Sequence, residues 1–379
     1  MDCISGISGG SFTAAYYGLF GDRIFKDYRP RFLYRDIQGE LVHSALNPLN
    51  WPRLASPTFN RIDLATELYD DTIFDHKTFD DLIHREDKPY IILHATNLAS
   101  GDRFEFTQDE FDLLGSDLAK FPVARAVTAS SAFPFLLSPV TLKNYPEPPY
   151  FKTPTDIEQG KNSYNGDRRY WHWAVRQNDY LDKNSTPYVH LMDGGLSDNI
   201  GLRAIDNAYR WGPIRRGINN DKIEKLVIIV VNAKTDDQDT ISRDAVPPGL
   251  ADVAYKTTTI SLDNYSFESI ETMRDLTRQR KQTQETLTVC NDKLKACHAT
   301  ELFPELSGKV DPLVIDLNFQ SMPDPRQAKH LLNLPTSFSL PKEDVDQLIN
   351  AGAVLLDNSK EFNALMQELR PSSETEIRP

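Results

Sequence analysis

The sequence predicts an α/β protein built on a three-layer α/β/α core, with a mostly parallel sheet and a helical C-terminal extension. Three observations carry that expectation. Short β-rich runs alternate with helical periodicities along the chain, the run 226–231 is aliphatic and of strand length, and helical patterns dominate the C-terminal third. Hydrophobic residues make up 40% of the chain and charged residues 26%, enough apolar surface to bury a large core with a site inside it.

Taken in order, residues 2–4 read as a strand end and 6–10 as a glycine-rich turn, with a helix over 11–20 and helical pattern from 22 to about 46. Residues 47–60 contain Pro48, Pro52 and Pro57 and read as a loop or an irregular cover. Helical patterns at 62–69 and 79–84 lead to strands at 89–98 and 103–106, then to helical pieces between 109 and 126. Residues 144–187 hold Pro146, Pro148, Pro149 and Pro154 and then the aromatic cluster Tyr170, Trp171, Trp173 and Tyr180. A mostly irregular lid or binding loop is expected there, a solvated surface insertion being the alternative. Beyond it come a strand at 188–192, a helix at 201–209, a strand at 225–232 expected to be buried on both faces, and a long helix over 250–299. A strand at 313–319 and helices over 341–369 follow. The later strands are expected to extend one sheet. The domain reading is a catalytic core over 1–235, a helix-rich part over 236–370 packed on the same domain, and a disordered tail over 371–379.

The formal net charge of −13 argues against nucleic acid as a partner, because phosphate contacts need a concentrated basic surface. It argues equally against electrostatic capture by anionic membranes, so any peripheral lipid contact falls to apolar and aromatic side chains. The run 226–231 is far short of a bilayer span, and the N-terminus shows no signal-peptide pattern. Cys3 stands near the turn at 6–10. Cys290 and Cys297 are seven apart, which is ~10.5 Å on a straight helix and beyond disulfide reach. A bridge requires a break in the helix, so free thiols and a bridge both stay open.

Two motifs carry chemistry. Gly6-Ile7-Ser8-Gly9-Gly10 lies between a strand end and a helix start. A serine hydroxyl becomes a useful nucleophile when it is exposed, fixed and deprotonated as it attacks, and a sharp strand-to-helix turn supplies the first two conditions. The Gly9 amide then points at a developing oxyanion, helped by the positive end of the following helix. Asp193-Gly194-Gly195 ends the strand at 188–192, placing a carboxylate at the strand edge where ligands gather in open α/β sheets.

Together with Ala129-Ser130-Ser131-Ala132-Phe133-Pro134 and Asp193-Gly194-Gly195-Leu196-Ser197-Asp198-Asn199, these motifs resemble the patatin-like phospholipases. The resemblance runs from residue 1 to about 233. It implies a lipid acyl hydrolase with Ser8 and Asp193 as a catalytic dyad and Gly9 as an oxyanion donor. Gly6, Gly10, Gly194, Gly195 and Asn199 match the turn motifs, and Ser130 and Pro134 match the segment under the site. Gly201 stands where many members have proline. The glycine-rich oxyanion loop that the resemblance implies before the nucleophile has no counterpart in the chain, so a truncated start is expected. A lost signal peptide or anchor and an activity lowered roughly 100- to 1000-fold would follow. No metal or organic cofactor is expected, since no paired His/carboxylate spacing occurs. A Ser–His–Asp triad would draw on His298 or His330, which follow Asp193 in polar surroundings; His94 reads as a core residue, and His190 as alternating off the strand that delivers Asp193. A non-enzymatic binding or scaffolding module on the same fold is the second class of function.

Overall fold

The computed structural model describes residues 2–85, 89–134, 136–235, 245–304 and 310–370. The tail expected to be disordered, 371–379, lies outside them. Packing divides the chain into two units: Met1–Ala204 with Gly249–Ser266 and Ser337–Lys342, and Ile205–Pro248 with Phe267–Thr336 and Glu343–Pro379. The expected boundary at 235 thus differs from the packed one, which falls inside the helix Leu202–Arg210.

The first unit holds a five-stranded sheet of β1 (Cys3–Gly6), β2 (Tyr90–Asn97), β3 (Arg103–Glu105), β4 (Val140–Lys143) and β5 (Tyr188–Asp193). Its order is β1-β2-β5-β4, with β3 also paired to β2. The expected mostly parallel sheet is corrected here. Only β1–β2 is parallel; β2–β3, β2–β5 and β4–β5 are antiparallel. The reason is connection length for β3, since five residues join it to β2 and a parallel return needs a crossover of a dozen or more.

Helix α1 (Gly9–Phe20) packs directly on the parallel pair. A Cβ on Gly6 would come within 2.8 Å of Ala14 Cβ, so only glycine lets strand and helix approach this closely. Phe12 anchors the core from α1: its ring stacks on Phe32 at 4.5 Å and meets Tyr69 edge-on at 4.9 Å. Burying such a ring is worth roughly 2–3 kcal/mol, with more from ring pairing.

Elsewhere the helical pattern over 22–46 is interrupted. Pro30 falls in a widened turn, Arg29–Leu33, and the helix restarts at Ile37–Leu46 with Asp36 accepting from the Gly39 amide at 2.8 Å. The segment 144–187 is not the irregular loop expected. It contains the helices Thr155–Lys161 and Arg168–Asp179, the second started by Asp167, whose carboxylate accepts from the Arg169 and Tyr170 amides. Tyr170, Trp171 and Trp173 lie on that helix and Tyr180 just past its end, Tyr170 stacking on Trp173. Four early prolines masked a periodicity that local capping restores.

The second unit holds a two-stranded parallel sheet, β6 (Leu226–Asn232) with β7 (Pro312–Asn318). Among the described residues these strands pair with each other and do not extend the first sheet. Nor is β6 buried on both faces: Ile229 is 47% and Val231 71% exposed. Successive side chains of a strand point to opposite faces, and here Ile228 and Val230 are buried while Ile229 and Val231 face solvent. The long helix Leu250–Ala296 matches its expectation to within three residues, and Cys290 and Cys297 are free thiols.

Candidate active site

The register of β2 brings the two motifs together. Leu93 is the partner of Gly6 on β1, and Ala95 is the partner of Asp193 on β5. Ser8, two residues beyond Gly6, therefore lies over the same end of the sheet as Asp193. The Ser8 Oγ donates to Asp193 Oδ2 at 2.9 Å.

Ser8 takes φ 47°, ψ −122°, a region that residues other than glycine rarely occupy. Three bonds hold the turn in place. The Ser8 amide donates to Ser130 Oγ at 3.0 Å, the Gly10 amide to Ile7 O at 2.8 Å, and the Ser11 amide to Ser8 O at 3.0 Å. The Gly9 amide, first in α1, has no acceptor among the described residues, and a Cβ on Gly9 or Gly10 would meet nothing within 4 Å. An unspent donor at a helix N-terminus, beside open space and next to the serine, is a place for negative charge.

Asp193 is 4% exposed. Its Oδ1 accepts from the Gly195 amide at 2.8 Å, and its own amide donates to Ala132 O at 3.0 Å. Its carbonyl accepts from Thr96 Oγ1 at 2.8 Å. Burial pushes the carboxyl from its ordinary 3.8 up to about 6, while the bonds from Gly195 and Ser8 act in the opposite direction. The result is a carboxylate that is ionised at neutral pH yet more basic than an exposed one.

Each residue expected at the site has a definite place. Ser130 ends the helix Val123–Ser130 and is fully buried; besides receiving the Ser8 amide, its carbonyl accepts from Gly194 at 3.0 Å. Pro134 sits half-buried in the turn beyond that helix. Gly194 and Gly195 open the short helix Gly195–Asp198, where Asn199 lies against Gly195. Gly201 has φ +67°, which a proline ring forbids, so proline is excluded from this backbone.

The histidines make no triad. His94 is fully buried and its Nε2 meets Ser5 Oγ at 2.8 Å, not Ser8. Ser5 donates in turn to Gly201 O at 3.1 Å. With Ser5 donating onward, His94 carries its proton on Nε2. Its Nδ1 has no partner among the described residues, and burial lowers the ring to about 4, keeping it neutral. Sequence reasoning missed this bridge between β1, β2 and the turn after Asp193, because Ser5 and His94 lie 89 residues apart and carry no shared motif. His190 meets Thr141 Oγ1 at 2.9 Å on an exposed face, His330 pairs with Asp344, and His298 is exposed. Among the described residues no cluster of three metal-ligating side chains occurs.

Residues 1–206 match the family model for patatin-like phospholipases. No curated protein matches the chain.

Proposed function

Because the chain belongs to the patatin-like phospholipase family, we propose that it is a lipid acyl hydrolase that cleaves carboxylic esters through an acyl-serine intermediate on Ser8. The observation supporting this is the 2.9 Å bond from the Ser8 hydroxyl to a buried, strengthened carboxylate. In the first step Asp193 Oδ2 takes the hydroxyl proton as Ser8 Oγ bonds to the ester carbonyl carbon. The carbonyl oxygen becomes an oxyanion facing the Gly9 amide and the N-terminal end of α1. Collapse breaks the ester bond, and the departing alkoxide takes the proton held on Asp193. Water then attacks the acyl-serine while Asp193 accepts its proton, and collapse releases the carboxylic acid as Ser8 Oγ takes that proton back, restoring both residues. No histidine and no cofactor enters this sequence.

Direct proton transfer to a carboxylate is uphill when that carboxylate has an ordinary pKa. Moving it to about 6 lessens the gap, which is the chemical role of burying Asp193. The test is turnover of a p-nitrophenyl acyl ester by the protein and by Ser8→Ala and Asp193→Asn. Each substitution is expected to lower kcat by about 10⁴-fold or more with the circular dichroism spectrum unchanged. Equal rates in all three proteins would end the hydrolase reading and favour a binding or scaffolding role.

A further inference from the structure

Of the exposed apolar side chains in the first unit, four fall within ten residues of sequence. Val42 and Leu46 lie one turn apart on the helix Ile37–Leu46, and Leu49 and Trp51 follow on the turn and the short helix after it. Their exposures are 54%, 67%, 82% and 57%. Apolar residues at this spacing normally face a core; here they face solvent. An exposed apolar ridge of this kind marks a surface that meets another apolar phase.

The polar groups of the segment are largely bonded within it or to its neighbours. Asn47 Oδ1 accepts from the Leu49 amide at 3.1 Å, and Asn50 Nδ2 donates to Ser44 O at 2.8 Å. Arg53 folds back over the Phe59 ring, 4.0 Å from its centroid, and pairs with Glu67. Pro48 and Pro52 fix the backbone, so the apolar side chains are presented with little chain freedom to lose.

Charge narrows the occupant. The protein has a net charge of −13, yet no Asp or Glu occurs between Leu41 and Asn60, and the one arginine there is already paired. The ridge is electroneutral within an acidic protein. A protein interface needs about one hydrogen bond per 100–200 Å², whereas this stretch offers no carboxylate and a single guanidinium that is already paired. A lipid layer asks for no hydrogen bonds from an inserted side chain, and tryptophan is at home at the headgroup boundary. An anionic layer would be repelled by the rest of the molecule.

We propose that the ridge of Val42, Leu46, Leu49 and Trp51 docks the protein on a zwitterionic phospholipid layer. The proposal extends the lipid-hydrolase reading by naming how the protein reaches its substrate, and its test reads binding rather than turnover. Vesicles of phosphatidylcholine, with and without bromine on the acyl chains, are mixed with the full chain, and tryptophan fluorescence and co-sedimentation are followed. Brominated vesicles are expected to quench the fluorescence, and the quenching to be largely lost in Trp51→Phe while sedimentation persists. The double variant Leu46→Asn, Leu49→Asn changes only exposed side chains. It is expected to bind vesicles at least tenfold more weakly while hydrolysing soluble p-nitrophenyl butyrate at the unaltered rate. Absence of binding by the unmodified protein, or binding untouched by the double variant, overturns the proposal. A dimer of the unmodified protein that the double variant converts to monomer, with vesicle binding intact, would assign the ridge to a second copy instead. Loss of ester turnover in the unmodified protein, with vesicle binding intact, would count against the hydrolase and leave the docking surface standing.

Discussion

Strand β1 beside β2, and β6 beside β7, are the parallel pairs among the described residues, and their ends are finished differently. The β6 end closes on itself, Asn232 Oδ1 accepting from the Lys234 amide at 3.1 Å. So does β7, whose Asn318 Oδ1 accepts from the Ser321 amide at 3.0 Å. The end of β1 does the opposite. It runs through Gly6 and Ile7 into a serine held at positive φ and bonded to a buried carboxylate, and leaves the Gly9 amide unspent. A strand end alone therefore makes no site. What distinguishes the two pairs is whether the turn satisfies its own donors or keeps one in reserve.

Three experiments probe that difference. The largest effect is expected at Asp193, and it runs in opposite directions for activity and stability. With the folded carboxyl at about 6 against 3.8 unfolded, the folded state holds the proton more tightly, so this group makes stability fall as pH rises from about 4 to 6 and leaves the full cost in place above 6. At about 1.4 kcal/mol per pH unit the cost is roughly 3 kcal/mol at pH 7. Asp193→Asn should thus stabilise the fold by an amount of that order in urea unfolding while abolishing the proposed turnover, and kcat of the unmodified protein should fall about tenfold per pH unit below 6. A destabilised Asp193→Asn would show the carboxylate to be structural. A smaller effect is expected at Ser5. Ser5→Ala removes the link from β1 to the turn after Asp193, and should lower kcat about tenfold with KM little changed. Matching losses in a thermal-shift assay and in KM would instead mark a packing role. The smallest is Asn318→Ala, which should cost about 1 kcal/mol of stability and leave ester turnover untouched.

Much of this was legible in the sequence, for reasons particular to each residue. Ser8 and Asp193 stood out because glycines flank them, and glycine beside a polar residue at a strand end is a local signal of a tight turn. The helix Leu250–Ala296 and the strand β2 were legible from unbroken periodicity. Ser130 was placed under the site by its motif, but its bond to the Ser8 amide depends on a contact 122 residues away. Strand direction was not legible: nothing in the sequence of β5 says that Ala95 rather than another residue will face Asp193, or that the pairing runs antiparallel. The same holds for β6, whose aliphatic run reads as a doubly buried strand although Ile229 and Val231 face solvent. Tertiary surroundings, not strand propensity, decided both outcomes.

The backbone of Ser8 has a practical consequence. Holding a serine at φ 47° costs on the order of 1–3 kcal/mol that a glycine would not incur. Ser8→Gly would accordingly yield a tougher molecule with the turn intact and the hydroxyl gone. Such a scaffold could be heated with candidate lipids one at a time, and the ligands that raise its melting temperature would identify themselves without ever being consumed.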